Sequence, residues 1–217
     1  PTLNSDLANC SFMDRGDLEL PFGDPSPARA LIEATTQEIL SQKKTPFLLG
    51  GEHLASLGAI RAVAKVYPDL RVIQLDAHAD LRDSYEGTPF SHACVMRRVL
   101  ERCPAVQLGV RSLSIEEYQA LPQLPTTMIF AHELQRDREA AVQKMLEKLT
   151  GTVYITVDLD GFDPSLLPAT GTPEPGGLFW PDVMGILEPV FAGRNVVGGD
   201  VVELAPVPGW PASDFLA

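Results

Sequence analysis

The segment QLDAHADL, Gln74 to Leu81, sets Asp76, His78 and Asp80 at alternate positions where a short apolar run should end. A second run, VYITV, stops at Asp158 and Asp160, and a third, PFLLGGE, is followed by His53. Successive strand side chains face opposite ways, so Asp76 and His78 are expected on one side, as are Asp158 and Asp160, with Asp80 folding back. Carboxylates this close repel, and burying one without compensation costs several kcal/mol. A divalent cation removes the conflict. Four negative charges, from Asp76, Asp80, Asp158 and Asp160, balance two divalent ions, and His53 and His78 complete the shells as neutral imidazoles. An oxygen and imidazole set without thiolate favours two Mn²⁺ ions per chain over zinc, cobalt, nickel or iron. A single Asp-x-His reads more simply as a turn or cap; two such pairs and a further histidine, all at strand ends, do not.

Residues so placed need a scaffold that gathers strand ends. PFLLGG (46–51), RVIQLDA (71–77), AVQLGV (105–110), TTMIF (126–130), VYITVDLD (153–160) and NVVGGDVVEL (195–204) are Val-, Ile- and Leu-rich runs too continuous to be half exposed. Helical spacing fills the intervals at 28–41, 54–66, 92–102, 115–121, 136–149 and 181–191, with Ser114 and the pair Pro181–Asp182 as helix starts. Strand and helix in rotation predict a three-layer α/β/α sandwich with a mostly parallel central sheet. In such sheets ligands gather beyond the carboxyl ends of the strands, where the chemical residues fall.

The 217 residues carry 17 Lys and Arg against 29 Asp and Glu, a net charge of −12, which argues against nucleic acid as a partner. No apolar run reaches membrane-spanning length, so no membrane partner is expected. Cys10, Cys94 and Cys103 are odd in number and lack CxxC spacing, which fits reduced thiols in a cytoplasmic protein.

The blocks GGEH (50–53), DAHAD (76–80) and DLDGFDP (158–164), followed by ATGTPEPGGL (169–178) and VVELAPVPG (201–209), resemble the ureohydrolases, the arginase and agmatinase family, in order. The resemblance implies a binuclear manganese centre that hydrolyses a small cationic guanidinium substrate to urea and an amine. It implies that His53 and Asp80 bind one ion, His78 and Asp160 the other, and that Asp76 and Asp158 bridge them. It also implies a proton-donating role for His92, in YEGTPFSHAC, and a guanidinium-binding role for Glu203. The GTPEPGGL and YEGTPFSHAC blocks look more like agmatinase than arginase. The expected reaction is agmatine plus water to putrescine and urea, with arginase, guanidinobutyrase and an incomplete, non-catalytic subunit as alternatives. A homo-oligomer, trimer or hexamer, is the family's habit.

Asp163 is expected to shape its loop rather than bind metal, and His132 to be structural. Glu52 stands where the family commonly has Asp, and Ala205 where many members have Asn. Nothing matches the family's opening strand and substrate-side loop, so residues 1–217 are expected to form one ureohydrolase domain lacking that segment and its C-terminal helix.

Overall fold

The computed structural model describes residues 9–216. Among the described residues six strands form one sheet: β1 (Phe47–Leu49), β2 (Arg71–Leu75), β3 (Ala105–Val110), β4 (Thr126–Phe130), β5 (Thr152–Asp158) and β6 (Asn195–Val202). Their order is β1-β6-β5-β2-β3-β4, and every pairing is parallel. From β2 the chain moves one way across the sheet, to β3 and β4; from β5 it moves the other way, to β6. The adjacent strands β5 and β2 therefore flank a topological switch point, where the crevice beyond their carboxyl ends is open to a ligand.

Alternation along each strand splits the core into two layers. Val72 and Tyr154 pack with Ile32, Leu57, Ile60 and Met96 on one face; Ile73, Val153 and Ile155 pack with Leu134, Met145, Ile186 and Val190 on the other. The first group belongs to α1 (Pro25–Ser41), α2 (Leu54–Val66) and α3 (Val95–Val99). The second belongs to α5 (Ala131–Arg136), α6 (Arg138–Lys148) and α7 (Trp180–Gly193); α4 (Ile115–Ala120) and α8 (Ala212–Leu216) complete the helices. The α/β/α sandwich expected from the rotation of elements is what forms.

Three local expectations are corrected. The helix expected over 92–102 is a 3-10 turn at His92–Cys94 followed by only one α-helical turn or so in α3. The helix expected over 136–149 starts at Arg138, and the residues ahead of it, Ala131–Arg136, form the separate helix α5, with Glu133 accepting from the Phe130 N–H. Burial on both faces fails for β1, where Phe47 is 65% and Leu49 76% exposed. Among the described residues β1 pairs only with β6, and hydrophobicity does not distinguish an edge strand from a central one. Ser114 caps as expected, in a reciprocal capping box with Glu117.

Candidate metal centre

The predicted groups converge on the β2/β5 crevice, although by a different local device from simple strand alternation. β2 ends at Leu75, so Asp76 and His78 lie in the turn beyond it. Asp76 Oδ1 accepts the His78 N–H at 2.6 Å, and Asp158 Oδ1 accepts the Asp160 N–H at 2.9 Å. Each pair is thus the head of an Asx turn, in which the aspartate organises the two residues after it. Asp80 reaches back because its backbone takes the left-handed conformation, φ +53°. The two turns are stitched together where Asp160 Oδ1 accepts the Ala77 N–H at 3.1 Å.

Two groups of ligating atoms result, His53–Asp76–Asp158 and Asp76–His78–Asp160, each spanning less than 4.8 Å. Asp76 belongs to both: Oδ2 lies 3.2 Å from His53 Nδ1 and Oδ1 lies 3.7 Å from His78 Nδ1. Asp80 Oδ2 is 2.9 Å from His53 Nδ1, and Asp160 Oδ2 is 2.9 Å from His78 Nδ1. Asp158 Oδ2 faces His53 at 3.2 Å, while its other oxygen is occupied by the Asp160 N–H.

His53 shows why a cation fits. Its Nε2 lies 3.1 Å from the Thr156 hydroxyl, which itself donates to Asp200 Oδ1 at 2.6 Å. The hydroxyl therefore accepts from Nε2–H, and in the neutral ring Nδ1 carries a lone pair. That buried nitrogen makes no hydrogen bond, yet three carboxylate oxygens crowd it. Four electron-rich atoms facing one point is the donor set of a metal; around His78 Nδ1 two carboxylate oxygens gather, Asp160 Oδ2 and Asp76 Oδ1.

The same conflict appears in the proton affinities of the protein residues. Burial, compounded by the Asp76 charge, pushes Asp80 up to about 8 and holds Asp158 well above the carboxylate range. Asp76 is buried too, but the His53 and His78 imidazoles outweigh that and hold it low. Burial would depress the histidines; the carboxylates of Asp160 and Asp76 instead raise His78 to about 11, and Asp158, Asp76 and Asp80 hold His53 high. Without other cations the cluster must recruit protons.

A cleft of about 420 Å³ opens over both groups, lined by His78, Asp80, Asp158, Asp160, His92, Glu203 and Thr172 among others. Glu203 sits just past β6 at φ +68°, and its Oε1 accepts the His53 N–H at 2.6 Å. Burial raises its pKa, with the His53 N–H opposing. His92 stands at the cleft wall beside Tyr85, ring centroids 5.5 Å apart and edge to face. All eight residues singled out for metal or catalysis thus meet around one crevice.

These features decide the family. The Arginase family profile matches residues 1–214. The chain belongs to the arginase family. An agmatinase of Halalkalibacterium halodurans is 36% identical over 214 residues, 95% of this chain and 71% of that protein. An N(1)-aminopropylagmatine ureohydrolase of Synechocystis is 38% identical over 169 residues, 77% of this chain and 55% of that protein. The crystal structure of a putative agmatinase from Clostridium difficile superposes with a TM-score of 0.86 at 36% identity, covering 95% of this chain and 75% of that one.

This arginase-family chain also places the remaining motif residues. Asp163 caps its own loop, Oδ1 accepting from Ser165 and Oδ2 from the Gly176 and Gly177 N–H groups; the Ser165 hydroxyl and N–H above all, and then the glycine N–H groups, hold its carboxyl down to about 2. At Gly177 a Cβ would lie 2.4 Å from the Asp163 nitrogen, so that loop closes only on glycine. His132 stacks on Phe130, away from the cleft. Ala205 donates its N–H to Ala169 O and is not among the cleft-lining residues.

Sequence reasoning missed the supports beneath the site. Arg111 donates to the carbonyls of Asp160, Phe162 and Glu174 at 2.8, 3.1 and 2.8 Å, fastening the DLDGF and GTPEPGG loops to β3. Thr156 was findable, since Tyr154, Thr156 and Asp158 share one strand face. Asp200, a fully buried acid inside an apolar run, was the other available signal.

Proposed function

We propose that the chain is a binuclear, manganese-dependent agmatinase that hydrolyses agmatine to putrescine and urea. The observation that carries the reading is Asp76, a buried carboxylate shared between two groups of ligating atoms under a cleft that also presents Glu203 and His92. His53, Asp76, Asp80 and Asp158 would hold one ion, and Asp76, His78, Asp158 and Asp160 the other. The hard oxygen and imidazole donors, without thiolate, favour manganese. Bound there, two divalent ions supply a water acidified enough to act as nucleophile near neutral pH.

The residues of the chain do the rest. Glu203, with one oxygen committed to the His53 N–H, offers its second oxygen to the substrate guanidinium through charge-assisted hydrogen bonds. Thr172 donates to Asp160 Oδ2 at 3.1 Å and keeps that carboxylate aimed at His78. His92 gives the departing amine the proton it needs when the C–N bond breaks, a task suited to an imidazole.

In the same reading the protein is cytoplasmic and a homo-oligomer. Cys10, Cys94 and Cys103 are free thiols, and no helix among the described residues is long and apolar enough to cross a membrane. The test is urea release by manganese-loaded protein from agmatine, N(1)-aminopropylagmatine and arginine. Agmatine should give the highest kcat/KM; a preference for either competitor overturns the substrate, and no urea from any of them overturns the activity.

A further inference from the structure

Glu52 is the residue before His53, in the turn between β1 and α2. Its side chain takes hold of His92. Glu52 Oε1 accepts the His92 backbone N–H and lies 3.2 Å from His92 Nδ1. One carboxylate oxygen thus grips both the main chain and the ring of the same residue, 40 positions away. Tyr85 packs edge to face on the same ring, and the Arg82 guanidinium covers Tyr85 at 5.4 Å. A half-exposed imidazole would otherwise sample several rotamers, and a proton donor must be aimed.

We infer that Glu52 is a positioning residue for His92, fixing Nδ1 as a protonated nitrogen and turning Nε2 toward the substrate. The inference rests on the reading of His92 as proton donor. In the step concerned, the Nε2 proton of the imidazolium passes to the departing amine nitrogen as its bond to carbon breaks. The Nδ1 proton stays on the ring, shared with Glu52. Because Glu203 accepts the His53 N–H while Glu52 accepts the His92 N–H, guanidinium site, metal ligand and proton donor are fastened in series through one dipeptide.

The experiment compares Glu52→Ala, Glu52→Gln and His92→Asn with the parent protein, all metal-loaded, using agmatine. Glu52→Ala should lower kcat about tenfold, the smaller end of what an outer-shell partner costs because the pair is half exposed. KM should change by less than about twofold, and metal content should not change. Glu52→Gln keeps an acceptor oxygen and should recover most of kcat. Imidazole ¹⁵N spectra of zinc-loaded protein, with His92 assigned by its loss in His92→Asn, should show Nδ1–H in the parent and lose that preference in Glu52→Ala. His92→Asn should cost about 100-fold or more in kcat. If Glu52→Ala retains the parent's kcat and tautomer while His92→Asn is impaired, the inference falls and the proton-donor reading stands. Glu52→Gln as impaired as Glu52→Ala, or metal lost from Glu52→Ala, also overturns it. Parent-like kcat in His92→Asn overturns the donor reading itself.

Discussion

Replacing Asp76 by Asn tests the shared carboxylate most directly, because the surrounding hydrogen bonds dictate how the amide must sit. Asp76 Oδ1 accepts the His78 N–H, so the amide oxygen must take that position. The amide NH₂ then replaces Oδ2, where it meets the Gln74 side-chain NH₂ that donates to Asp76. Gln74 cannot turn over freely: its Oε1 accepts from Gln107 Nε2 at 2.6 Å. Gln107 Nε2 also donates to Ala79 O at 2.7 Å, and its Oε1 accepts from Thr126 at 2.9 Å. Two donors would face each other in a fully buried place, at a cost of about 1–3 kcal/mol. Relief of repulsion with Asp80 and Asp158 is countered by lost attraction to the His53 and His78 imidazoles, so the metal-free variant should stay folded with a lowered melting temperature. Metal binding should suffer far more. Four negative charges against four positive become three, and the atom facing the His53 group becomes a donor. Outer-shell changes alone cost 10–100-fold in affinity, so loss of a ligand shared by both groups should exceed about 100-fold, or about 2.7 kcal/mol, for each ion. Manganese titration of chelator-stripped protein, with elemental analysis and circular dichroism in parallel, measures this. Wild-type affinity for two ions in a folded Asp76→Asn protein would refute the shared-ligand reasoning.

Metal loading should also be strongly pH dependent. His78, raised to about 11 by Asp160 and Asp76 against its burial, and Asp80, raised to about 8 by burial and Asp76, both hold protons at pH 7 without metal. Each must release its proton to ligate, so affinity should climb from pH 6 to 8, with more than one proton released per chain. Calorimetry in buffers of different ionisation enthalpy measures the release; affinity flat over that interval contradicts it. Arg111→Met should leave the histidines in place but orphan the carbonyls of Asp160, Phe162 and Glu174. A loss of about 2–4 kcal/mol in denaturant unfolding is expected, together with weaker retention of the ion beside His78. An unchanged midpoint and unchanged metal retention would mean the loops are held by other contacts.

The chemistry was legible in the sequence because it is local. Asp76-x-His78 and Asp158-x-Asp160 are each organised by an Asx turn whose partners lie two residues apart, so spacing alone brings the right atoms together. The alternation of apolar runs and amphipathic intervals likewise predicted the sandwich, since burial against a sheet needs only the right period in each element. Edge and centre could not be read that way: Phe47 and Leu49 are as apolar as any core strand, yet β1 lies at the margin.

What only the tertiary structure decided are relations between strands distant in sequence. The sheet order sets β2 beside β5, and that adjacency places Asp76 next to Asp158 and divides the ligands into two groups sharing one carboxylate. The grip of Glu52 on His92 and the anchoring of two loops by Arg111 arise in the same way. Their spacing along the chain carries no signal, because nothing but packing brings those segments within hydrogen-bond reach. Sequence by itself determined which side chains could hold a cation and do acid–base work; the order in which the strands pair determined which of them face one another.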